Sequence, residues 1–436
     1  MNRKFKIVTL GCKVNQYETA SLHEKLISNN WQFTEASEDA DVIIVNTCIV
    51  TQKASYQSRQ AIRKAIRENP AAKIAVVGCY PQVFPEELSK IEGVQILAGN
   101  TDKFKIPDIL QNPETRTGIK ILEADSSEKQ SFVMMPVKKF IDRTRAFLKI
   151  QDGCDSFCSY CIVPYARGPV RSMEMRDVIR SINTFAEEGY KEIVLTGIHL
   201  GKYGKDFTGK SELVKLLKKI AREKPNYRIR LSSLEPGEVS DELIEMVADE
   251  GWLCRHFHIP LQSGDKDVLK KMNRHYTPSD FKKIILKIHK KIPDVAIGVD
   301  IIAGFPGEDD HAFGNSYALI EELPVSYLHV FPFSPRKGTP AAGFPDHVDT
   351  KIIKERASNL RELGKNKKSL FYRSCLGKEF NVLTEGWESE KDKIIKGWSD
   401  NYLKIFLHSD TLLRNEIINV TAEKLKKDYI LGCIKG

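Results

Sequence analysis

The sequence predicts an α/β protein in three parts: an N-terminal parallel α/β sandwich, a central parallel β/α barrel, and a small all-β barrel at the C-terminal end. Three observations predict it. Apolar, β-branched runs alternate with helical patterns in the first part, the same alternation recurs over a longer stretch in the middle, and the last part returns to strand patterning alone. The predicted boundaries are residues 1–120, 144–372 and 373–436, with residues 121–143 as a linker.

In the N-terminal part, three strand-like runs each end in a cysteine, at Cys12, Cys48 and Cys79. The carboxyl ends of parallel strands meet at one edge of a sheet, and neighbouring strands lie only about 4.8 Å apart. A single cysteine there is most simply a small buried apolar residue, but three in the same position favour one shared iron-sulfur site. Gly11 and Gly78 suit a tight exit of the backbone from the strands, although such turns favour glycine in any case.

The middle of the chain contains six strand-like segments, most of them separated by helical patterns. They are RAFLKIQDG, KEIVLTGIHLG, YRIRLSSLEP, RHFHIPLQSG, VAIGVDIIAGFPGE and SYLHVFPFSPRKGT. A β/α alternation of this length predicts a parallel barrel or partial barrel, with its chemistry at the carboxyl ends of the strands. His256 and His258 lie two apart on the fourth strand and so share a face, where satisfied structural roles are expected.

The run GCDSFCSYC follows the first of these strands and contains Cys154, Cys158 and Cys161. The CxxxCxxC spacing presents three thiolates from one short loop and leaves a fourth metal position open. A four-iron cluster held by three thiolates has such an open iron. Zinc is the alternative, but structural zinc needs four protein ligands, and no second cysteine or histidine pair lies nearby. The spacing therefore favours an iron-sulfur cluster.

Residues 373–436 carry strand patterns divided by polar turns, which predict a compact β-barrel. Such barrels bind RNA through an exposed basic and aromatic face, although a stabilising appendage is the other interpretation. Residues 351–436 carry 18 basic and 12 acidic side chains, which is six of the nine net positive charges of the chain. Much of this charge lies in the helical pattern at 351–372, where a solvated face and a nucleic-acid contact are equally consistent.

The composition excludes a membrane span. No segment approaches the roughly 20 apolar residues that a membrane helix needs, and the first residues lack the features of a signal peptide. We therefore expect a cytoplasmic protein without a membrane partner. Nine cysteines in such a chain favour metal or redox chemistry over disulfides. Cys254, Cys375 and Cys433 have no partner spacing and are expected to be ordinary packed or surface thiols.

The CxxxCxxC run, with Tyr160 just before its last cysteine, resembles the radical S-adenosylmethionine enzymes. The resemblance implies a partial (β/α)6 barrel in which Cys154, Cys158 and Cys161 hold a [4Fe–4S] cluster. In that family the open iron binds the amino and carboxylate groups of S-adenosylmethionine, and reductive cleavage of this cofactor gives a 5′-deoxyadenosyl radical.

The same resemblance implies contacts between strand-end residues and S-adenosylmethionine. Thr196 and Gly197 end the second strand, where the family holds the amino group of the cofactor. Gln262 and Ser263 end the fourth strand, from which family members reach the ribose. Gly304 belongs to a glycine-rich turn that resembles the one beside the adenine. Each of these residues could instead serve only the turn or cap the next helix.

The order of the three parts resembles the methylthiotransferases over nearly the whole chain, with a tail similar to the RNA-binding TRAM domain. The resemblance implies a second [4Fe–4S] cluster on Cys12, Cys48 and Cys79, which carries the sulfur that one S-adenosylmethionine methylates. The radical from a second S-adenosylmethionine then initiates transfer of the methylthio group to carbon-2 of adenine. Because the cofactors perform the chemistry, no residue is expected to act as a conventional acid or base.

The runs TLGCKVNQYET and IQDGCDSFCSYCIVPYARGPVRS look most like the branch that modifies N-threonylcarbamoyladenosine next to the anticodon. The implied partners are the tRNA anticodon loop and an electron donor such as flavodoxin or ferredoxin. Branches that act on isopentenyladenosine in tRNA or on a ribosomal-protein aspartate remain open. A non-enzymatic, zinc-stabilised RNA-binding protein is the alternative from another class.

Overall fold

The N-terminal part of the chain is a parallel sheet with helices on both faces. The computed structural model describes residues 3–111, 120–122, 131–141 and 143–434, so that residues 123–130 and 142 of the predicted linker lie outside the described residues. The elements of this part are β1 (Lys4–Thr9), α1 (Lys13–Ser28), β2 (Gln32–Phe33), β3 (Val42–Thr47), α2 (Gln52–Glu68), β4 (Lys73–Gly78), α3 (Cys79–Val83), α4 (Pro85–Leu88), β5 (Val94–Ala98), α5 (Ile106–Gln111) and β6 (Lys120–Leu122). The strands pair in parallel in the order β2-β1-β3-β4-β5-β6.

Alternate residues of β3 enter two separate hydrophobic cores. Val42 and Ile44 pack in the core that contains Leu22 of α1, whereas Ile43 and Val45 pack in the core that contains Ile62 of α2. Both faces of the sheet are therefore buried, as a parallel sheet requires. This burial fixes the register of the strands, because a one-residue slip would exchange the two faces.

The middle of the chain is a partial β/α barrel followed by a long helix. Its elements are β7 (Arg145–Lys149), β8 (Gln151–Asp152), α6 (Val163–Arg167), β9 (Arg171–Ser172), α7 (Met175–Glu187), β10 (Glu192–Thr196), α8 (Lys205–Thr208), α9 (Leu213–Arg222), β11 (Arg228–Leu231), α10 (Asp241–Asp249), β12 (His256–His258), α11 (Lys266–Lys271), α12 (Pro278–Lys291), β13 (Ala296–Ala303), α13 (Asp310–Glu322), β14 (Tyr327–Pro332) and α14 (Thr350–Ser374).

The six barrel strands form two parallel sheets, β7-β10-β11 and β12-β13-β14. A parallel bridge between Ile229 of β11 and Leu253, just before β12, joins the two sheets. The strands thus follow one another around the barrel in chain order, and all six segments predicted from the sequence are strands. The small β8 and β9 pair in an antiparallel manner beside the cysteine loop.

Helix α1 belongs to both the sheet and the barrel. Leu22 and Leu26 lie in the core of the sheet, whereas Tyr17 lies in the core of the barrel. The Tyr17 hydroxyl donates a 2.6 Å hydrogen bond to the carbonyl of Met135, in the segment that leads into the barrel. Because one helix is shared, the sheet and the barrel are held together at the start of α1, where Cys12 lies.

The tail is a closed β-barrel whose strands are β15 (Glu379–Ser389), β16 (Ile394–Ser399), β17 (Lys404–His408), β18 (Arg414–Leu425) and β19 (Ile430–Ile434). They close in the order β15-β16-β17-β19-β18 around a core that includes Phe380, Leu403 and Val420. The predicted three-part α/β fold class is therefore confirmed.

The tail docks against the amino ends of the barrel strands. Arg228 donates hydrogen bonds to the carbonyls of Asn381 and Trp398, and Arg230 donates to those of Ser399 and Asp400. The cysteine loop follows β8 at the opposite, carboxyl end, so that the tail and the candidate site lie at opposite ends of the barrel strands. No helix in the described part of the chain is both long and apolar enough to cross a bilayer.

Candidate active site

The three N-terminal cysteines lie at the carboxyl ends of three adjacent parallel strands. Cys12 follows β1 and precedes α1, Cys48 follows β3, and Cys79 begins α3 directly after β4. Gly11 passes so close to Cys48 that an added Cβ would lie 2.7 Å from the Cys48 Cβ, and its φ of +96° also favours glycine. The three thiols lie within electrostatic range of one another. The structure therefore brings the predicted group together.

The loop between β8 and α6 carries the other three cysteines, which are Cys154, Cys158 and Cys161. The Cys154 amide donates to the carbonyl of Gly168 at 2.9 Å. The amide of Ser159 donates to the carbonyl of Met272 at 3.0 Å, and its hydroxyl donates to that of Lys271 at 2.8 Å. These bonds anchor the loop to the barrel, so that its position does not depend on a bound metal alone.

A histidine and an arginine contact thiols of this loop. His199 Nδ1 lies 3.5 Å from Cys154 Sγ, while its Nε2 donates to Glu238 at 2.6 Å. Burial raises the pKa of the Cys154 thiol, but the hydrogen bond and charge of His199 and the hydrogen bonds of Ser156 together outweigh burial and lower that pKa overall. Arg274 Nη1 donates to Cys158 Sγ at 3.2 Å. Both contacts favour the thiolate, which is the form that binds metal.

The spacing of the sulfur atoms distinguishes both cysteine groups from a single-ion zinc site. Zinc binds each sulfur at about 2.3 Å, which places neighbouring sulfurs of a tetrahedral site only about 3.8 Å apart. Within the described residues, the one set of three His, Cys, Asp or Glu ligand atoms that all lie within 4.8 Å of one another is His258, Asp300 and His329. Neither cysteine group is that compact. Each group supplies three thiolates, which suits a four-iron cluster, whose ligands bind different iron atoms.

The compact set is accounted for by hydrogen bonds on adjacent strands of the barrel. Asp300 accepts from His258 Nε2 at 2.8 Å and from His329 Nδ1 at 3.2 Å. His258 and His256 both bond the hydroxyl of Tyr327, at 3.3 and 2.8 Å. The two histidines therefore share a face and have structural partners, as the sequence predicts.

The five residues predicted to contact S-adenosylmethionine lie at or just after the carboxyl ends of barrel strands, at the same end as the cysteine loop. They are Thr196, Gly197, Gln262, Ser263 and Gly304. An added Cβ on Gly197 would lie 2.7 Å from Gln151 Oε1, and Gly304 has a φ of +78°. Ser263 is fully buried, and its hydroxyl accepts from the amide of Asp265 at 3.2 Å. The structure shows these local contacts, whereas the contacts of the five residues with S-adenosylmethionine remain predictions.

A buried ionic network lies between the two cysteine groups. Arg167 ends α6, in the segment after the cysteine loop, and its Nη1 donates to Glu18 of α1 at 2.7 Å and to Asp152 at 3.2 Å. Lys149 of β7 binds the same two carboxylates at 2.9 and 3.1 Å, and Lys103 binds Glu18. The side chain of Glu18 is 0% exposed and that of Arg167 is 1% exposed. Burial alone would raise the pKa of Glu18, but the three cations hold it well below its usual range.

Comparisons with known proteins agree with this arrangement. The model of the radical SAM superfamily matches residues 148–320, and that of the uncharacterized protein family UPF0004 matches residues 4–99. The chain is 38% identical to the threonylcarbamoyladenosine tRNA methylthiotransferase MtaB of Bacillus subtilis, over 97% of this chain and 94% of the relative. It belongs to the methylthiotransferase family of radical S-adenosylmethionine enzymes.

Other methylthiotransferases match over similar lengths. The MtaB protein of Aquifex aeolicus is 35% identical over 92% of this chain and 96% of its own length. The tRNA-2-methylthio-N(6)-dimethylallyladenosine synthase of Fusobacterium nucleatum is 32% identical over 99% of both chains. Among solved structures, the radical S-adenosylmethionine methyltransferase TsrM of Kitasatospora setae has a TM-score of 0.58 at 16% identity and covers 78% of this chain and 77% of its own. That likeness supports the fold.

As a member of this family, the chain is an enzyme of sulfur and methyl transfer, with S-adenosylmethionine and two [4Fe–4S] clusters as its cofactors. The residues present suit these groups. Each trio supplies three thiolates, and within the described residues neither forms a compact single-ion site. The sulfur spacing and the enzymatic relatives give no support to the zinc-stabilised, non-enzymatic alternative.

Several residues of this methylthiotransferase site carry no signal in the sequence. His199 and Arg274 contact thiols that lie 45 and 116 residues away along the chain. Glu18 looks like an ordinary polar position of a helix, and its burial follows from contacts with Lys103, Lys149 and Arg167, which are distant in sequence. The helical stretch after Cys12 and the cluster loop are visible in sequence, but their contact is a tertiary property.

Proposed function

We propose that this enzyme adds a methylthio group to carbon-2 of N-threonylcarbamoyladenosine next to the anticodon in tRNA. The observation that carries the proposal is the pair of cysteine trios, one at the edge of the sheet and one in the barrel loop, with a shared helix and a buried ionic network between them. Five relatives named as threonylcarbamoyladenosine tRNA methylthiotransferases, at 32–38% identity, support this branch.

In this proposal, Cys12, Cys48 and Cys79 hold one cluster, and Cys154, Cys158 and Cys161 hold the other. The radical needed at an unactivated aromatic C–H position, and the sulfur and methyl groups, are supplied by the cofactors when these are bound. The protein holds the thiolates, through His199 and Arg274 among others, and keeps the two sites in a fixed relation. Thr196, Gly197, Gln262, Ser263 and Gly304 are the proposed contacts with S-adenosylmethionine.

The charge beside Cys12 favours an anionic substituent on the target base. Lys13 is exposed, and within the described residues it makes no hydrogen bond or salt bridge. Its ammonium group is nevertheless surrounded by protein: burial, together with Arg230 and Arg145, lowers the pKa of Lys13 to about 8, whereas Glu192 and Cys12 raise it, so that the charged form still predominates at neutral pH. The threonylcarbamoyl group ends in a carboxylate, whereas an isopentenyl group is apolar. An ammonium group can form an ion pair with the carboxylate of the threonylcarbamoyl group, but not with an isopentenyl group.

We further propose that the tail barrel holds tRNA, and that an electron donor such as flavodoxin or ferredoxin reduces the cluster of Cys154, Cys158 and Cys161. Lys404 lies over the stacked rings of Phe406 and Tyr429, whose centroids are 4.2 Å apart. A cation beside aromatic rings suits the backbone and bases of a single-stranded loop. Action on tRNA would place the protein in the cytoplasm.

The test is mass spectrometry of tRNA nucleosides from cells with and without the gene. We expect the methylthio form of threonylcarbamoyladenosine to disappear on deletion and to return with the wild-type gene, but not with Cys48→Ala. Loss of the methylthio form of isopentenyladenosine instead would assign the enzyme to the branch that acts on isopentenyladenosine. Unchanged nucleosides together with an altered ribosomal-protein aspartate would show that the substrate is a protein and not an RNA.

A further inference from the structure

The ionic network around Arg167 contains more positive than negative side chains. Its three most buried cations, Lys103, Lys149 and Arg167, outnumber the two carboxylates that they bind, Glu18 and Asp152, and Arg171 lies 3.8 Å from Asp152 as a further cation. The side chains of all three cations are at most 2% exposed. A buried, uncompensated charge is costly unless another charge lies close by. The opposite charge should therefore be sought among the groups that surround the network.

The cysteine trio of the sheet is the group that faces this excess charge. Arg167 Nη2 donates to Asn15 Oδ1 at 2.7 Å, and that oxygen lies 4.0 Å from Cys12 Sγ. On the other side, Lys103 donates to Asn100 Oδ1 at 3.1 Å, while Asn100 Nδ2 donates to Cys79 Sγ at 3.5 Å. A single asparagine side chain thus lies between each of these cysteines and a buried cation.

One hydrogen-bond donor of Arg167 is also unused among the described residues. Its Nη1 and Nη2 atoms are bonded to carboxylates and to Asn15, but its Nε–H is buried and has no acceptor within the described residues. A buried donor without a partner is destabilising. The sulfur atoms of an iron-sulfur cluster accept such hydrogen bonds, which are among the factors that set its reduction potential.

We propose that Arg167, held in place by Glu18 and Asp152, supplies the counter-charge of the cluster on Cys12, Cys48 and Cys79 and raises the reduction potential of that cluster. The inference rests on the proposed function, in which this trio binds a cluster. A cluster held by three thiolates is anionic and becomes more so on reduction, so that a nearby fixed cation stabilises the reduced form more than the oxidised form. An arginine suits the role because it does not lose its proton in proteins.

The proposal makes Arg167 a positioning and tuning residue of one cluster. The ligands of the other cluster have their own contacts, His199 and Arg274, which come from the barrel. The two clusters would thus have separately set potentials, although their ligands meet at one interface. Only the cluster on the sheet should respond to a change in the network.

The test is a redox titration of the cluster on the sheet, in full-length protein that lacks the other cluster through Cys154→Ala, Cys158→Ala and Cys161→Ala. In this background we expect Arg167→Gln to shift the midpoint potential to more negative values and Glu18→Gln to shift it to more positive values. Arg167→Lys keeps the charge and should remain near the parent. Lys365→Gln removes a charge from a side chain that is 75% exposed and pairs with an exposed partner, and it should shift nothing.

The opposite signs separate tuning from a purely structural role, because a loosened fold would move both variants in the same direction. Shifts of the same sign, or no shift in either variant, would overturn the proposal. If Arg167→Gln does not retain iron, Glu18→Gln and Arg167→Lys decide the question by the same criteria. A parent without any cluster would count against the proposed function, whereas a parent cluster with an unshifted potential counts against Arg167 alone.

Discussion

At the scale of single residues, Gly11 shows how the absence of a side chain shapes the cysteine site. Its φ is +96°, and an added Cβ would meet both the Cβ and the Sγ of Cys48, at 2.7 and 2.9 Å. We expect Gly11→Ala to displace Cys48 and to reduce the iron content by about half, because one of two four-iron clusters is lost. The measurement is iron per chain after anaerobic reconstitution.

Gly189 is the matched control for Gly11. Its φ is +89°, but an added Cβ would meet no atom within 4 Å. Gly189→Ala should therefore show only the backbone strain of a left-handed residue, about 1 to 2 kcal/mol in unfolding, with a full complement of iron. Equal iron contents in the two variants would show that glycine is required at position 11 only for its backbone conformation.

The cysteines themselves give a second prediction. Cys48→Ala and Cys158→Ala should each leave a folded protein that retains about half of the iron and has no methylthiolation activity. Cys375 is fully buried in the core of the tail, with Asn401 Nδ2 3.8 Å from its sulfur. Cys375→Ala should lower the free energy of unfolding by about 1 kcal/mol and leave iron and activity unchanged. Loss of iron in Cys375→Ala would contradict the assignment of the six ligands.

The residue scale also shows where prediction from sequence stops. The cysteines were predictable because their spacing, or their position at strand ends, reflects local structure. Gly11 was predictable as a turn residue, but its contact with Cys48 was not, since the two residues follow different strands. His199, Arg274 and Glu18 acquire their roles only through contacts between distant segments, for which a single sequence carries no periodic signal.

At the scale of elements, the tail barrel gives a prediction about RNA. Lys426 and Lys427 are exposed in the turn between β18 and β19, next to Tyr429. Reversal of both charges, with Lys426→Glu and Lys427→Glu, should weaken tRNA binding and reduce its dependence on salt, because fewer phosphates are neutralised. Titrations of full-length protein with tRNA at several salt concentrations measure both effects.

The control for the tail is a pair of lysines on the barrel. Lys290 and Lys291 are likewise consecutive and exposed, at the end of α12. Their reversal changes the net charge by the same amount, so that a general effect of charge would appear in both variants. An equal loss of affinity in the two would show that the tail has no special part in binding.

The elements of the barrel were predictable, whereas part of the N-terminal sheet was not. All six barrel strands lie within the predicted segments, and the helix predicted at 351–372 is α14, which ends at Ser374. In the N-terminal sheet only three of six strands were predicted. Strands β2 and β6 have two and three residues, which is too few for a periodic pattern. Part of the basic charge of α14 is structural, since Lys367 donates to the carbonyls of Glu321 and Leu323 at the end of α13.

At the scale of the whole molecule, ionic groups join the parts at both ends of the barrel. The network of Arg167 joins the sheet to the carboxyl end, and a second network joins the tail to the amino end. In the second, Glu192 is fully buried and accepts from Arg228 at 2.6 Å and from Arg230 at 2.9 Å. The sequence predicts three consecutive domains, but it contains no indication of these joints, because each pairs residues from separate strands or domains.

The second network gives a prediction about stability and pH. Burial would raise the pKa of Glu192, but the guanidinium groups of Arg230 and Arg228 outweigh burial and lower it overall. A carboxylate whose pKa is lower in the folded state stabilises the fold at neutral pH, and this contribution is lost as the pH falls from the unfolded value of about 4.3 towards the folded value. Glu192→Gln should therefore cost about 3 to 5 kcal/mol at neutral pH, because two buried cations lose their partner.

Thermal or chemical unfolding of wild type and Glu192→Gln across pH measures this contribution directly. The difference in stability between the two proteins should be largest at neutral pH and should narrow below about pH 4, where Glu192 of the unfolded wild type takes up a proton while that of the folded wild type stays ionised. Glu322, which pairs with Lys282 and is 57% exposed, is the control, and Glu322→Gln should cost less than about 1 kcal/mol. Since Arg228 and Arg230 also bind carbonyls of the tail, Glu192→Gln should in addition speed hydrogen exchange in β16. A constant difference across pH would mean that Glu192 acts through its shape and hydrogen bonds and that its charge contributes nothing.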